Sequence, residues 1–161
     1  MNYLLPLQAI MMLELHNVTI GELINGLSAT LEDGQIVGLQ GKGKTTLLRA
    51  VMGLIPIDSG HICIDGELLT PDSAPFFRRS MAYVPQRLSV PEGYDKVPTD
   101  YVALVRRAIE SGKQLLVVDE PAEPLDAEAQ QTVGRLLIEA VQQGRTVLTV
   151  MNPLNDNYIQ L

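Results

Sequence analysis

An α/β fold built around a parallel sheet is what this sequence predicts, and two segments carry the prediction. The first is Gly38-Leu39-Gln40-Gly41-Lys42-Gly43-Lys44-Thr45, which fits the phosphate-binding pattern G-x-x-x-x-G-K-[ST]. Gln35-Ile36-Val37 before it reads as a short buried strand. Thr46 to Met52 after it reads as an amphipathic helix stopped by Gly53. The second is Gln114-Leu115-Leu116-Val117-Val118-Asp119-Glu120, an apolar run ending in two acids. Val and Leu suit a strand buried on both faces. The acids then fall at its carboxyl end, where open α/β sheets bind ligands.

The residue types suit phosphate chemistry. Glycines let backbone N–H groups turn inward around phosphate oxygens, and the following helix directs its positive end at the anion. On this reading Gly41, Lys42, Gly43, Lys44, Thr45 and Thr46 form the cradle. Lys44 reaches the outer phosphates and Thr45 holds Mg²⁺. Asp119 holds Mg²⁺ directly or through water, and Glu120 orients or deprotonates an attacking water. The plainer readings are a glycine-rich turn with a chance lysine and a strand running into an acidic surface turn. The order strand, loop, helix, together with the pairing of the two segments, favours the site.

Elsewhere, Leu88 to Thr99 is expected to be a loop, broken by Pro91, Gly93 and Pro98. Asp100 to Ser111 reads as a helix with Thr99 as its cap and Gly112 as its stop. Ala127 to Gln143 reads as another, burying Val133, Leu136, Leu137, Ala140 and Val141. Arg106, Arg107 and Arg135 read as solvated helix charges, and the five tyrosines form no stripe and receive no role.

Further segments resemble the nucleotide-binding domain of ABC-type ATPases. Leu13 to Val18 is similar to that family's first strand, Leu27 to Leu39 to the strand pair before the phosphate loop, and Asp58 to Gly66 to the hairpin after the first helix. Met81-Ala82-Tyr83-Val84-Pro85-Gln86 resembles the strand ending in the Q-loop glutamine. Asp119-Glu120-Pro121 with Leu125-Asp126 resembles Walker B plus the D-loop, and Thr146 to Val150 the last core strand. The resemblance runs from about Met12 to the C-terminus. It implies a P-loop NTPase core at 12–161, preceded by an extension at 1–11, with ATP and Mg²⁺ as ligands. Gln86 joins Thr45 and Asp119 as an implied metal contact. The implied mechanism is in-line attack of water on the γ-phosphate, with Lys44 and Mg²⁺ neutralising charge.

The chain departs from that family in four places. The phosphate loop is shorter than G-x-x-G-P-N-G-A-G-K-T-T, so Gly38 can complete the pattern from inside the strand. Thr19-Ile20-Gly21-Glu22 offers no aromatic for adenine. Only 28 residues separate Gln86 from Leu115, where the family has a helical subdomain ending in L-S-G-G-Q; here Tyr94-Asp95-Lys96-Val97-Pro98 takes that place. An aspartate there would repel phosphate. Met151-Asn152-Pro153-Leu154 replaces T-H-D-L, so Asn152 either contacts the γ-phosphate as a hydrogen-bond donor that carries no proton or is a turn residue before proline.

The expected fold is therefore an ABC-type core with a reduced helical subdomain. Two functions stay open: an ATP–Mg²⁺ domain with weak or conditional ATPase activity, including that of an atypical transporter subunit, and a degenerate domain acting as a binding or regulatory partner. Expected partners are ATP, with a membrane permease, another ATP-binding chain or a second copy open. The expected location is cytoplasmic, with peripheral attachment at the inner face of the membrane open. The net charge of −7 disfavours non-specific nucleic-acid binding. Cys63 is the single cysteine, so neither a disulfide framework nor a zinc site is expected. His16 and His61 fall in strands and read as structural.

Overall fold

The computed structural model describes residues 12–85, 100–121, 123–150 and 157–161. Two sheets stack around a shared core. The antiparallel sheet has the order β2-β1-β4-β5, from β1 (Leu13–Ile20), β2 (Ile24–Leu31), β4 (Ser59–Ile64) and β5 (Glu67–Leu68). In β1 the buried residues are Leu13, Leu15, Val18 and Ile20, so strict alternation breaks between Leu15 and Val18. A bulge at Asn17, with φ 52°, absorbs the extra residue and keeps both halves facing the core. Asp65 and Gly66, both at positive φ, close the tight hairpin from β4 to β5.

The parallel sheet has the order β6-β7-β8-β3-β9: β6 (Met81–Val84), β7 (Leu115–Val118), β8 (Thr146–Thr149), β3 (Ile36–Gln40) and β9 (Tyr158–Gln160). Alternate residues of β7 serve two cores. Leu115 and Val117 pack toward α1 (Lys44–Val51) and the antiparallel sheet, Leu116 and Val118 toward α3 (Tyr101–Glu110) and α4 (Ala127–Gln142). A strand covered on both faces explains its unbroken apolar run.

Several expectations are corrected. β3 begins at Ile36, not Gln35, and continues through Gly38 to Gln40, which places Gly38 inside the strand as the shortened loop allowed. α1 begins at Lys44 and not at Thr46, and Gly53 follows its cap at φ 70°. The cap of α3 is Asp100, whose carboxylate accepts from the Val102 N–H at 3.0 Å; Thr99 lies outside the described residues. The short helix α2 (Ala74–Arg78) and strand β9 were not foreseen. The expected loop at 88–99 and the extension at 1–11 also lie outside the described residues.

Arg145 was not singled out by sequence, yet it ties α3 to the sheet. Its guanidinium is buried and donates to the carbonyls of Lys113 at 2.8 Å, Ile109 at 2.8 Å and Ala108 at 3.4 Å. These satisfy the carbonyl end of α3, where a cation is also favoured by the helix dipole. Arg145→Ala is expected to cost about 2–3 kcal/mol in urea unfolding. A loss within a few tenths would show that water replaces these bonds freely.

Candidate nucleotide-binding site

The site is built where β3 and β7 end. β3 delivers the chain into Gly41-Lys42-Gly43, a loop of three residues, and α1 starts directly after it. Gly41 and Gly43 have φ of 106° and 91°, which side-chain-bearing residues rarely adopt. Gly38 is buried within β3 and its N–H donates to the Asn157 carbonyl at 3.0 Å, so it completes the eight-residue pattern from inside the strand and is not part of the cradle.

The N-terminus of α1 differs from those of α3 and α4. Asp126 accepts from the Ala129 N–H at 2.7 Å and so caps α4, a local structural task. Gly43, at the cap of α1, has no side chain to offer, and among the described residues no side-chain cap hydrogen bond is seen at that turn. First-turn N–H groups without a side-chain acceptor are what an anion requires of a helix end.

Two neighbours wall the loop. A Cβ built on Gly43 would lie 3.2 Å from both Leu23 and Ile24, and one on Gly41 would lie 2.7 Å from the Leu161 carbonyl oxygen. The loop is thus held between the turn joining β1 to β2 and the residue after β9. That turn is Gly21-Glu22-Leu23 and carries no aromatic, and Leu23 stands 53% exposed beside the loop.

Thr45 and Asp119 meet as the sequence suggested. The Thr45 hydroxyl lies 3.1 and 3.2 Å from the two Asp119 carboxylate oxygens, and the Glu120 N–H donates to Asp119 Oδ1 at 2.8 Å. Asp119 is 1% exposed. Burial pushes its carboxyl above the usual carboxylate range. The Glu120 N–H and Thr45 hydroxyl bonds and the Arg49 charge pull the other way, while the Glu120 charge adds to the rise. A desolvated carboxylate facing a hydroxyl is a pair of hard oxygen donors of the kind Mg²⁺ takes. Lys44 and Thr46 are half-buried on the same helix start, Lys42 is exposed, and Glu120 is exposed beside Asp119. Gln86 and Asn152 lie outside the described residues.

Three residues were missed. Tyr101 donates its hydroxyl to the Asp119 backbone carbonyl and so fixes the end of β7; a lone tyrosine at a helix start gives no sequence signal. Arg49 acts on Asp119 and hydrogen-bonds Tyr83, whose hydroxyl is pushed above its ordinary pKa by burial first and by Asp119 second. Arg49 was legible, because it stands four residues after Thr45 and therefore on the same helical face.

Comparison with known proteins points to one family. The family model described as ABC transporter matches residues 24–100. Several relatives across most of the chain are named as ATP-binding proteins of transport systems. The uncharacterized ABC transporter ATP-binding protein YphE of Escherichia coli is 22% identical over 83% of this chain, and the manganese transport system ATP-binding protein MntB of Bacillus subtilis is 25% identical over 88%. By these matches the chain is similar to the nucleotide-binding domains of ABC-type ATPases. It spans 38% of the length of YphE and 77% of MntB. The MntB match extends over 197 residues but uses only 88% of these 161, so MntB carries several dozen positions that this chain lacks. A dimeric ATP-binding cassette in a post-hydrolysis state, bound to ADP and Pi, superposes with a TM-score of 0.73 at 19% identity, covering 92% of this chain and 94% of that one. That likeness is one of fold. Among the described residues no helix is long and apolar enough to cross a membrane.

Proposed function

We propose that this ABC-type domain, at residues 12–161, binds ATP with Mg²⁺ and hydrolyses it slowly or conditionally. The meeting of Thr45 with Asp119 beside an uncapped glycine-rich helix start carries the proposal. A pure scaffold has no use for a carboxylate buried at an energetic cost opposite a hydroxyl. Gly41, Gly43 and the first turn of α1 receive phosphate oxygens, Lys44 neutralises the outer phosphates, and Thr45 and Asp119 hold the metal, with Gln86 as a third contact. Bound there, Mg²⁺ supplies charge neutralisation during phosphoryl transfer. Glu120, beyond the end of β7, holds and deprotonates the water. Asn152 donates a hydrogen bond toward the γ-phosphate.

The expected slowness follows from the chain's brevity between Gln86 and Leu115 and from the three-residue loop, which presents fewer N–H donors than the family's longer one. The relatives' names point to a permease as partner. The domain would then sit in the cytoplasm at the inner face of the membrane, with a second copy or another ATP-binding chain beside it. The same brevity favours a second reading, in which the domain is a non-catalytic regulatory partner. Turnover separates the two. Glu120→Gln is expected to lower the steady-state rate at least tenfold, about 1.4 kcal/mol of barrier, while leaving ATP affinity within twofold. Brisk turnover rising steeply with protein concentration would contradict the slow reading, and no turnover at all would favour the regulatory one.

A further inference from the structure

The chain contains two histidines and one cysteine in 161 residues, and the fold brings all three together. They lie far from the phosphate loop in sequence and on the antiparallel sheet. His16 of β1 stands opposite His61 of β4, and Glu14 stands opposite Cys63 in the same register. Residues two apart on a strand share a face, so Glu14, His16, His61 and Cys63 form one block on the face turned away from the core. The block is not packed over: both imidazoles are substantially exposed and Cys63 is half-buried. Strand register supplies neighbours for Cys63 that sequence spacing does not show.

We propose that Glu14, His16, His61 and Cys63 form a binding site for a borderline-soft divalent cation of the zinc class. One donor atom from each of His16, His61 and Cys63 lies within 4.8 Å of the others. A tetrahedral zinc with its usual bond lengths needs about 3.3–3.8 Å between donors. The gap closes by side-chain rotation at an open surface, with no movement of strands already paired. The imidazoles are stacked, with centroids 4.6 Å apart and planes 24° from parallel, so each must turn its edge toward the ion. Glu14 Oε2 lies 3.1 Å from His16 Nε2. The carboxylate can only accept, so Nε2 donates and a neutral His16 keeps its Nδ1 lone pair for the metal. This is the way carboxylates orient ligating imidazoles.

The donor set selects the ion. Two imidazole nitrogens and a thiolate suit zinc and its neighbours, whereas Mg²⁺ and Ca²⁺ require oxygen. An open groove of about 770 Å³, lined by His16, Asn17, Ser28, Ser59 and His61 among others, gives the ion entry from solvent. Binding releases the Cys63 thiol proton to water and leaves a fourth position for water, with Glu14 orienting His16. The ion would clip β1 to β4 across the sheet.

The test is titration of the full chain with Co²⁺ under a non-thiol reductant, read by absorption. The expected result is a tetrahedral cobalt spectrum with a thiolate-to-cobalt charge-transfer band, saturating at one equivalent and displaced by Zn²⁺. Cys63 being the only cysteine, Cys63→Ser must remove that band, and His61→Gln must weaken binding at least tenfold. Both variants should melt like the parent without metal. Asp119→Asn should retain the band, which separates this site from the nucleotide site. The absence of a charge-transfer band in the parent, or unchanged affinity in His61→Gln, would overturn the proposal.

Discussion

Gly60→Ala is expected to destabilise the protein by about 3 kcal/mol or more, the largest effect of any single methyl added to this fold. Gly60 sits in β4 at φ 80°, opposite the bulge of β1, and a Cβ there would overlap the backbone carbonyls of His16 and Asn17. Neither carbonyl can retreat without breaking β1–β4 pairing, and both belong to the strand that carries Val18 and Ile20 into the core. Gly66 is the control. Its φ is 79°, but nothing lies within 4 Å of an added Cβ. Gly66→Ala should therefore cost about 1 kcal/mol, the conformational part alone. Equal losses in the two variants, measured by urea unfolding, would mean that the close approach at Gly60 carries no weight.

Asp119→Asn is expected to separate stability from binding. In the unliganded protein the buried carboxylate is a burden, since its native pKa is raised above the unfolded value. Such a group binds protons more readily when folded, so stability falls as pH rises from the ordinary carboxylate range through the native pKa. Asparagine still accepts from the Thr45 hydroxyl and the Glu120 N–H. The variant should thus melt at or above the parent's temperature at neutral pH, and the difference should vanish in acid. Its ATP affinity in Mg²⁺ should fall at least tenfold, about 1.4 kcal/mol. A variant that melts lower than the parent at neutral pH would show that the charge is well compensated and the site is not strained for a cation.

What could be read from the sequence was what local chemistry dictates. The apolar run of β7 fixed its burial, and the acids after it fell at the strand end because strands of that composition stop where charge begins. Lys44 and Thr45 were found because their pattern spans one turn of chain. Gly38 stayed ambiguous for the same reason: the pattern counts residues and cannot tell a strand glycine from a loop glycine, and only the shortness of the loop pointed to the strand. β9 escaped notice because three residues carry no periodicity, and its pairing with β3 is made across more than a hundred residues. The cluster of Glu14, His16, His61 and Cys63 was invisible for a related reason. Its ligands are adjacent only through β1–β4 register, which no spacing rule encodes. Arg145 and Tyr101 act on backbone carbonyls, and a partner of that kind leaves no trace in sequence.

The most direct test is the melting temperature of the full chain with and without millimolar ATP–Mg²⁺, compared with Lys44→Ala. A ligand bound by the folded state alone stabilises it by about 2.7 kcal/mol at a hundred times Kd. For a domain of this size that is a rise of about 5–10 °C. The account predicts such a rise in the parent, a smaller one when Mg²⁺ is withheld, and none in Lys44→Ala. A melting curve that millimolar ATP–Mg²⁺ leaves unmoved in the parent would contradict it.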